Sequence, residues 1–217
     1  MLRLRVGDAL TLFDGRGGEY GARITATARD QVAVEILEWR DIDVESPLSV
    51  TLIQALQAGD KMDLTLQKAV ELGATRIVPV ASRRSVLKLQ GERAARRVAH
   101  WRAVAVSACE QCGRNRVPVI DEIIELDRWL ALPSPGLGPR LMLAPAAADS
   151  LLGLPRPASG AEIELLIGAE GGLAPEEMAM AMAAGFQGVR LGPRVLRTET
   201  AGMAALAAIQ TVWGDFA

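Results

Sequence analysis

Apolar residues along most of this chain occur in short runs separated by segments with helical periodicity. The runs have the length of buried strands and occupy residues 48–56, 77–80, 117–120, 141–143 and 163–167. Apolar residues spaced three and four apart indicate helices at 60–72, 92–112, 127–132, 175–184 and 199–213. Apolar strands that alternate with helices are typical of a parallel sheet covered on both faces. The pattern therefore predicts an α/β fold for the larger part of the chain.

The first 45 residues follow a different pattern, in which apolar and polar positions alternate. This alternation predicts strands at 9–13, 19–24 and 32–37. Gly15, Gly17, Gly18 and Gly21 connect strand to strand with no helix after them, so they indicate a hairpin rather than a dinucleotide-binding turn. A polar segment ending at Pro47 then marks a boundary. We therefore expect a β domain at 1–45 and an α/β domain at 46–217.

The overall charge gives no attraction to nucleic acid, since the 217 residues carry a formal net charge of −2. The basic residues are clustered, however, at Arg3/Arg5, Arg83/Arg84/Lys88, Arg93/Arg96/Arg97/Arg102, Arg114/Arg116 and Arg194/Arg197. Local patches of this kind can bind an RNA backbone, although each is also consistent with a solvated surface. No apolar run reaches the roughly 18 residues of a membrane span and no signal peptide begins the sequence, so we expect a cytoplasmic protein.

The most informative stretch lies between residues 162 and 211, where a strand, a loop and a helix occur twice. The second strand is predicted at 189–191, and Thr198 is the predicted N-cap of the last helix. Ligands of open α/β sheets bind in such loops, at the carboxyl ends of strands. Glu170 in the first loop, with Glu176 and Glu177 behind it, disfavours a phosphate by charge repulsion. No Lys-Ser or Lys-Thr pair follows the glycines, which excludes a P-loop. A neutral or cationic ligand such as S-adenosylmethionine fits this loop, and so does a tight turn that binds nothing.

Four segments in order along the chain carry a resemblance to a known family. They are residues 60–62 with 67–73 (DKM, QKAVELG), 108–118 (ACEQCGRNRVP), 167–173 (IGAEGGL) and 191–201 (LGPRVLRTETA). These segments closely resemble the RsmE family of 16S ribosomal RNA (uracil-N3) methyltransferases, and together they span most of the chain, from residue 60 to residue 201. The resemblance implies methylation of N3 of a uridine in 16S rRNA of the small ribosomal subunit, with S-adenosylmethionine as the methyl donor and no metal.

The same resemblance implies a fold. RsmE proteins belong to the SPOUT superfamily, so we expect a parallel sheet with a C-terminal trefoil knot and a homodimer that pairs across the knot. A small PUA-like β-barrel that helps to hold RNA is expected to precede this domain. Family members carry further residues, including a histidine, before the segment matching Leu2-Arg3, so the RNA-binding domain at 1–45 is expected to be N-terminally short. The small residues of the last predicted helix are compatible with threading through a knot and also with close packing on a sheet.

Site residues follow from the resemblance and from the position of the loops. The cofactor is expected to contact Leu143, Ala144, Pro145, Ile167, Gly168, Ala169, Glu170, Gly171, Gly172, Leu191, Gly192, Pro193, Val195, Leu196 and Arg197. Arg194 and Arg197 are the candidate catalytic cations near the uracil. Glu170 is the candidate orienting group or base and Glu199 is the alternative, although Glu199 also suits a helix N-terminus. RNA is expected to contact Arg3, Arg5, Lys61, Glu110, Gln111 and Arg114.

Cys109 and Cys112 form a C-x-x-C motif inside a predicted helix. A structural zinc site needs four ligands, and the chain offers no second pair and only one histidine, His100. A redox pair is also disfavoured, because such a pair begins a helix and these cysteines end one. We therefore expect neither a metal nor a disulfide here, and we expect His100 to be structural or exposed.

Two other classes of function remain open from the sequence. The chain could be a non-catalytic RNA-binding protein that keeps the knotted fold. It could also be a nucleotide-dependent enzyme, although no G-x-G-x-x-G motif follows a predicted strand.

Overall fold

The computed structural model describes residues 4–133, 136 and 138–216. By their contacts these residues form two units: one comprises the chain up to Glu45 together with Cys109–Val117, and the other comprises Ser46–Ala108 together with the chain from Pro118. The pattern of apolar residues does not predict that 109–117 pack with the first unit. The functional division at 45/46 stays a prediction.

The first unit is built on three antiparallel strands, β1 (Ala9–Leu12), β2 (Glu19–Thr27) and β3 (Val32–Arg40). Strands β1 and β2 form the predicted hairpin, with Ala9 opposite Arg23 and Leu12 opposite Tyr20. The turn between them needs glycine, because Gly15, Gly17 and Gly18 have φ values of 84°, 112° and 68°. The hairpin interpretation of these glycines is therefore confirmed.

Residues 109–117 are fixed to this hairpin by backbone and side-chain hydrogen bonds. The N–H of Gly17 donates to the carbonyl of Asn115 at 3.0 Å, and the N–H of Val117 donates to the carbonyl of Gly15 at 3.1 Å. The side-chain amide of Asn115 donates to the carbonyl of Ile42 at 3.2 Å. These bonds explain why the segment belongs to the first unit although it lies far from it in sequence.

The second unit contains a sheet of seven strands in the part of the chain that the structure describes. The strands are β4 (Ser49–Ala55), β5 (Arg76–Ala81), β6 (Val119–Ile120), β7 (Ile124–Glu125), β8 (Arg140–Leu143), β9 (Glu162–Ile167) and β10 (Gln187–Val189). Their order is β10-β8-β9-β4-β5-β6, with β7 also paired to β5, and every pairing is parallel. The predicted parallel sheet is confirmed.

Helices cover both faces of this sheet. They are α1 (Lys61–Glu71), α2 (Gly91–Cys112), α3 (Leu126–Leu130), α4 (Pro175–Ala183) and α5 (Thr198–Trp213). Ile53 and Val78 pack in a core with residues of α3 and α4 such as Trp129 and Ala181. Gln54 points to the opposite face, because successive side chains of a strand alternate, and there it bonds to the first residue of α5. Helices α1 and α5 contact each other.

Two local predictions differ from the structure. Thr198, which the sequence marks as the N-cap of the last helix, is its first helical residue, and Arg197 is the N-cap. The hydroxyl of Thr198 is used elsewhere, since it donates to the carbonyl of Gly168. The short strand expected at 189–191 ends at Val189, because the N–H of Arg190 donates instead to the carbonyl of Asp149.

Among the described residues, no helix is long and apolar enough to cross a membrane.

Candidate functional site

A cavity of about 220 Å³ lies in the second unit, at the carboxyl ends of the neighbouring strands β8, β9 and β10. Each strand runs into a loop that forms one wall: 143–145 after β8, 167–173 after β9 and 189–196 after β10. Met178 of α4, and Thr198 and Ala201 of α5, close the remaining sides. Three parallel strands and two helices therefore place these loops around one space, which is where open α/β sheets bind ligands.

Most of the predicted cofactor residues line this cavity. Those that do are Leu143, Ala144, Pro145, Ile167, Gly168, Ala169, Glu170, Gly172, Leu191, Gly192, Val195 and Leu196, and the predicted catalytic Arg194 joins them. Gly171, Pro193 and Arg197 belong to the same loops but are not among the lining residues. The structure thus brings the two predicted loops together, and their contact with a cofactor stays a prediction.

Six further residues line the cavity without having been predicted: Leu173, Met178, Val189, Arg190, Thr198 and Ala201. The periodicity of the last helix could have predicted two of these residues. Thr198 and Ala201 are three positions apart at the start of α5, so they share a face with each other. No sequence signal places Met178, because its contact with the cavity depends on how α4 returns over the sheet.

The loop after β9 is a tight turn that only glycine allows. Ala169 and Gly172 pair across it, with the N–H of Gly172 2.8 Å from the carbonyl oxygen of Ala169. A Cβ atom on Gly168 would lie 2.8 Å from the carbonyl carbon of Gly172 and 2.9 Å from the nitrogen of Leu173. Because these neighbours are backbone atoms, a side chain at Gly168 must deform the cavity wall.

The acidic residues at the start of α4 have structural partners. Glu177 is buried, and its carboxylate accepts hydrogen bonds from the N–H of Ala174 and the N–H of Arg83, each at 2.8 Å. The first bond caps the helix, and the second attaches the loop after β5 to it. Glu176, by contrast, is exposed and lies 3.7 Å from the guanidinium of Arg83. Glu177 therefore serves the fold of this loop region rather than the cavity.

The hydroxyl of Thr198 joins three elements beneath the cavity. It donates to the carbonyl of Gly168 at 2.5 Å and accepts from the side-chain amides of Gln54 and Gln57, each at 3.2 Å. Gln57 in turn accepts from the hydroxyl of Thr65 at 2.9 Å. All of these side chains are buried. The network fixes the loop after β9 to α5, to the end of β4 and to α1.

A small charged cluster lies at the edge of the same loop. The ammonium of Lys61 is 3.6 Å from Glu170 Oε1 and 3.7 Å from Glu199 Oε1. Glu170 Oε1 also accepts from the N–H of Ala58 at 3.2 Å. Glu199 is the more enclosed acid, with 13% of its side chain exposed against 27% for Glu170. Its Oε2 is buried and has no hydrogen-bond partner among the described residues.

The two predicted catalytic arginines lie in the loop before α5. Both side chains are exposed, and Arg194 lines the cavity. Within the described ranges, neither guanidinium forms a hydrogen bond or an ion pair. Their charges therefore remain available to a ligand.

The predicted RNA-binding residues have different surroundings. Arg3 lies outside the described residues. Arg5, Glu110 and Gln111 are exposed in the first unit, and Lys61 belongs to the charged cluster of the second. Arg114 forms an ion pair with Glu45, with only 6% of its side chain exposed. Its contact with RNA stays a prediction, and the structure shows a guanidinium already engaged by a carboxylate.

The surroundings of Cys109 and His100 indicate structural roles. Burial raises the pKa of the Cys109 thiol to about 11, so it is protonated at neutral pH. His100 Nε2 lies 2.7 Å from a carboxylate oxygen of Asp63, whose other oxygen accepts from the indole N–H of Trp101. No group of three or more His, Cys, Asp or Glu side chains in the described residues could hold a metal ion.

Comparison with known proteins identifies matches over the whole chain. The family model of the RNA methyltransferase domain matches residues 44–210, and that of the RNA methyltransferase PUA domain matches residues 2–37. The ribosomal RNA small subunit methyltransferase E of Buchnera aphidicola is 30% identical over 216 residues, which are 100% of this chain and 84% of the relative.

Solved structures agree with the sequence matches. The crystal structure of a ribosomal RNA small subunit methyltransferase E from Neisseria gonorrhoeae, bound to S-adenosylmethionine, is 45% identical with a TM-score of 0.90, and the match covers 99% of this chain and 87% of that one. A structure from Legionella pneumophila in complex with the same cofactor is 36% identical with a TM-score of 0.93, again over 99% of this chain and 87% of that one.

Proposed function

Because this chain belongs to the RNA methyltransferase family that includes ribosomal RNA small subunit methyltransferase E, we propose that it methylates N3 of a uridine in 16S rRNA with S-adenosylmethionine as donor. The observation that carries the proposal is the cavity at the carboxyl ends of β8, β9 and β10, formed by the two loops that the resemblance selects. The substrate is the RNA of the small ribosomal subunit, and the activity is an rRNA (uracil-N3) methyltransferase.

The finer features of the family complete the proposal. Helix α5 passes through a trefoil knot, residues 1–45 belong to a PUA-like barrel that binds RNA, and two protomers pair across the knot. The density of small residues in α5, including Gly202 and Ala205, supports close passage of this helix through a loop. The enzyme works in the cytoplasm, where small ribosomal subunits are assembled.

The cavity suits a methyl donor that carries a sulfonium. Among the described residues, Glu170 is the acidic side chain of its lining, where it attracts a cation, and Arg190 and Arg194 in the same lining offer positive charges to anionic groups. The tight loop at 168–172 brings backbone groups to the cavity without intervening side chains. Bound there, S-adenosylmethionine supplies an activated methyl group for an in-line displacement, and the described residues provide no metal site that this chemistry would use.

The protein must orient the uracil and accept its N3 proton. Transfer needs N3 within about 3–3.5 Å of the methyl carbon, in line with the bond that breaks. The exposed cations Arg194 and Arg197 stabilise the negative charge that develops on the uracil oxygens as the proton leaves. The carboxylate of Glu170 takes that proton, with Glu199 as the alternative acceptor in the same cluster. Lys61, between the two acids, also offers a positive charge to an RNA phosphate.

The test is methyl transfer to native substrate. Small ribosomal subunits from a strain that lacks the modification are incubated with the protein and labelled S-adenosylmethionine, and the methylated base is mapped. The expected product is a single N3-methyluridine in 16S rRNA. A chain that binds RNA but neither binds the cofactor in calorimetry nor transfers label is a non-catalytic RNA-binding protein, and the proposal is then wrong.

A paired substitution assigns the proton acceptor. Glu170→Gln and Glu199→Gln each remove one carboxylate with little change in volume. The variant of the true acceptor loses most of its turnover, whereas the other variant keeps most of it. Both variants must bind the cofactor for the comparison to hold, which calorimetry measures.

A further inference from the structure

A second cavity, of about 270 Å³, opens in the same unit and shares no lining residue with the first. Its walls are residues 81–90, which follow β5, residues 125–127 at the end of β7 and the start of α3, and two residues of α4, Glu177 and Met180. It therefore also lies at the carboxyl edge of the parallel sheet. Nothing in the proposed methyl transfer uses it.

The two cavities are neighbours. Helix α4 separates them, with Met178 lining the first and Met180 lining the second. The guanidinium of Arg84 donates to the carbonyl of Gly171 at 2.7 Å, which fastens the loop of the second cavity to the loop of the first. A ligand in the second cavity would thus lie beside the proposed methyl-transfer site.

Several polar groups around the second cavity are not used by the fold. In the described part of the chain, the side chains of Lys88, Gln90 and Glu125 form no hydrogen bond or ion pair. Asp127 uses only one carboxylate oxygen, on the N–H of Arg128 at 2.7 Å. Glu177 is the exception, because both its oxygens are engaged by backbone N–H groups. The cavity therefore offers free donors and free acceptors together.

The arrangement of these groups selects a class of ligand. Apolar side chains of Leu126 and Met180 form part of the wall, and the free polar groups lie around them. A flat heterocycle with N–H and carbonyl groups on its edge satisfies both features, as an unpaired nucleobase does. The carboxylates of Glu125 and Asp127 favour a base with an exocyclic amino group over uracil, because they can accept its hydrogens.

The surroundings favour RNA as the source of that base. The loop after β5 carries Arg83, Arg84 and Lys88, all exposed, so a phosphate backbone is attracted to the rim. The free carboxylates disfavour a phosphate inside the cavity itself. This distribution of charge favours a base inside the cavity and its phosphate outside.

We propose that the second cavity binds the unpaired base of a nucleotide next to the target uridine, so that the RNA is held on both sides of α4. The proposal rests on the proposed function for the identity of the RNA. It assigns a substrate-positioning role to Lys88 and Gln90, which lie outside the methyl-transfer site.

Chemical probing of small ribosomal subunits that lack the modification tests this directly. Dimethyl sulfate reports unpaired adenine and cytosine, and kethoxal reports unpaired guanine. With wild-type protein bound, a base adjacent to the target should be protected. The variant Lys88→Ala/Gln90→Ala should lose that protection and bind subunits about tenfold more weakly, as expected for the loss of base contacts.

Matched measurements separate the possible outcomes. Arg93→Ala removes one exposed positive charge close in sequence to the cavity but not from its lining, and it should keep the protection and nearly all of the affinity. Cofactor binding by the double variant should equal that of the wild type. If no adjacent base is protected, or if protection persists in the double variant, the proposal is wrong. Methyl transfer in the same samples tests the proposed function separately, because protection does not require turnover.

Discussion

The hydroxyl oxygen of Thr198 lies 2.5 Å from the carbonyl oxygen of Gly168, and this hydrogen bond connects the first turn of α5 to the loop after β9. Both residues line the proposed cofactor cavity. The same hydroxyl accepts from two buried glutamine amides, so it uses its one donor and both of its acceptor positions. Thr198 is therefore a positioning residue for the loop, and the position of its side chain depends on α5 being folded against β4.

Thr198→Val should weaken cofactor binding as well as the fold. Valine keeps the shape of threonine but leaves the Gly168 carbonyl and the Gln54 and Gln57 amides without this partner, at a cost of about 1–3 kcal/mol. We expect a fall of about tenfold in affinity for S-adenosylmethionine, measured by calorimetry. Thr198→Ser retains the hydroxyl and should bind nearly as the wild type does. Equal loss in both variants would contradict this role.

Two glycines of the loop after β9 should respond differently to alanine. A Cβ atom at Gly168 meets backbone atoms of Gly172 and Leu173 at 2.8 and 2.9 Å, so the loop must move. A Cβ atom at Gly171 meets the side chain of Arg84, nearest at 3.3 Å, and a side chain can adjust. Gly168→Ala should therefore abolish cofactor binding at micromolar protein, and Gly171→Ala should change it by less than about fivefold. Similar affinities in calorimetry would show that loop shape is unimportant.

Arg197→Ala should leave the fold intact and strongly reduce methyl transfer. The side chain is exposed and forms no hydrogen bond or ion pair with the described residues, so its removal costs little stability. Losing a cation that stabilises developing charge should lower kcat by about a hundredfold or more. The measurement is turnover with saturating cofactor, alongside thermal unfolding. Arg93→Ala, which removes an exposed cation of α2, is the matched control, and it should keep the turnover of the wild type. Wild-type turnover in Arg197→Ala would remove Arg197 from the mechanism.

The sequence predicts the strands and loops of the site better than it predicts how the helices meet them. The run 163–167 is apolar apart from Glu164 because β9 is buried on both faces of the sheet, so its pattern is strong. The glycines of the following loop are equally easy to interpret from the sequence, because a tight turn requires glycine. Contacts made by α4, such as that of Met178, depend on tertiary packing and leave no period in the sequence.

Polar side chains were the least predictable part of the site. Thr198 has the residue type and the sequence position of an N-cap. In the folded chain its hydroxyl instead donates to the carbonyl of Gly168. Arg114 has the appearance of an RNA ligand, whereas in the folded chain its charge is paired with Glu45. The partner in each case is more than 25 residues away, so local sequence carries no sign of it.

Arg114→Met should destabilise the first unit. The guanidinium Nε lies 3.0 and 3.1 Å from the two carboxylate oxygens of Glu45, and removal of one partner leaves a largely buried charge unpaired. The expected loss is about 3 kcal/mol of unfolding free energy, measured by urea denaturation. The double variant Arg114→Met/Glu45→Met should recover part of this loss. If Arg114 also contacts a phosphate, the double variant will remain defective in RNA binding after its stability is restored.

Glu164 should give the stability of the second unit a distinct pH dependence. Burial raises the pKa of its carboxyl above the usual value of 4.5, although the ion pair with Arg140 and the more distant Arg76 act in the opposite direction, and Glu162 adds to the rise. The folded state therefore holds this proton to a higher pH than the unfolded state does. Unfolding free energy consequently falls as the pH rises from the unfolded pKa to the folded one.

Glu164→Gln should remove this fall, because glutamine does not titrate. The stability of the variant relative to the wild type should increase as the pH rises from the usual carboxyl pKa of 4.5 to the raised pKa of the folded state, whatever the absolute cost of leaving Arg140 without its carboxylate. Urea denaturation at a series of pH values measures the difference. Glu92→Gln, which neutralises an exposed acid at the start of α2, is the matched control. A difference between wild type and Glu164→Gln that stays constant across this range would mean that Glu164 has the same proton affinity folded and unfolded, and that the attraction of Arg140 cancels the effect of burial.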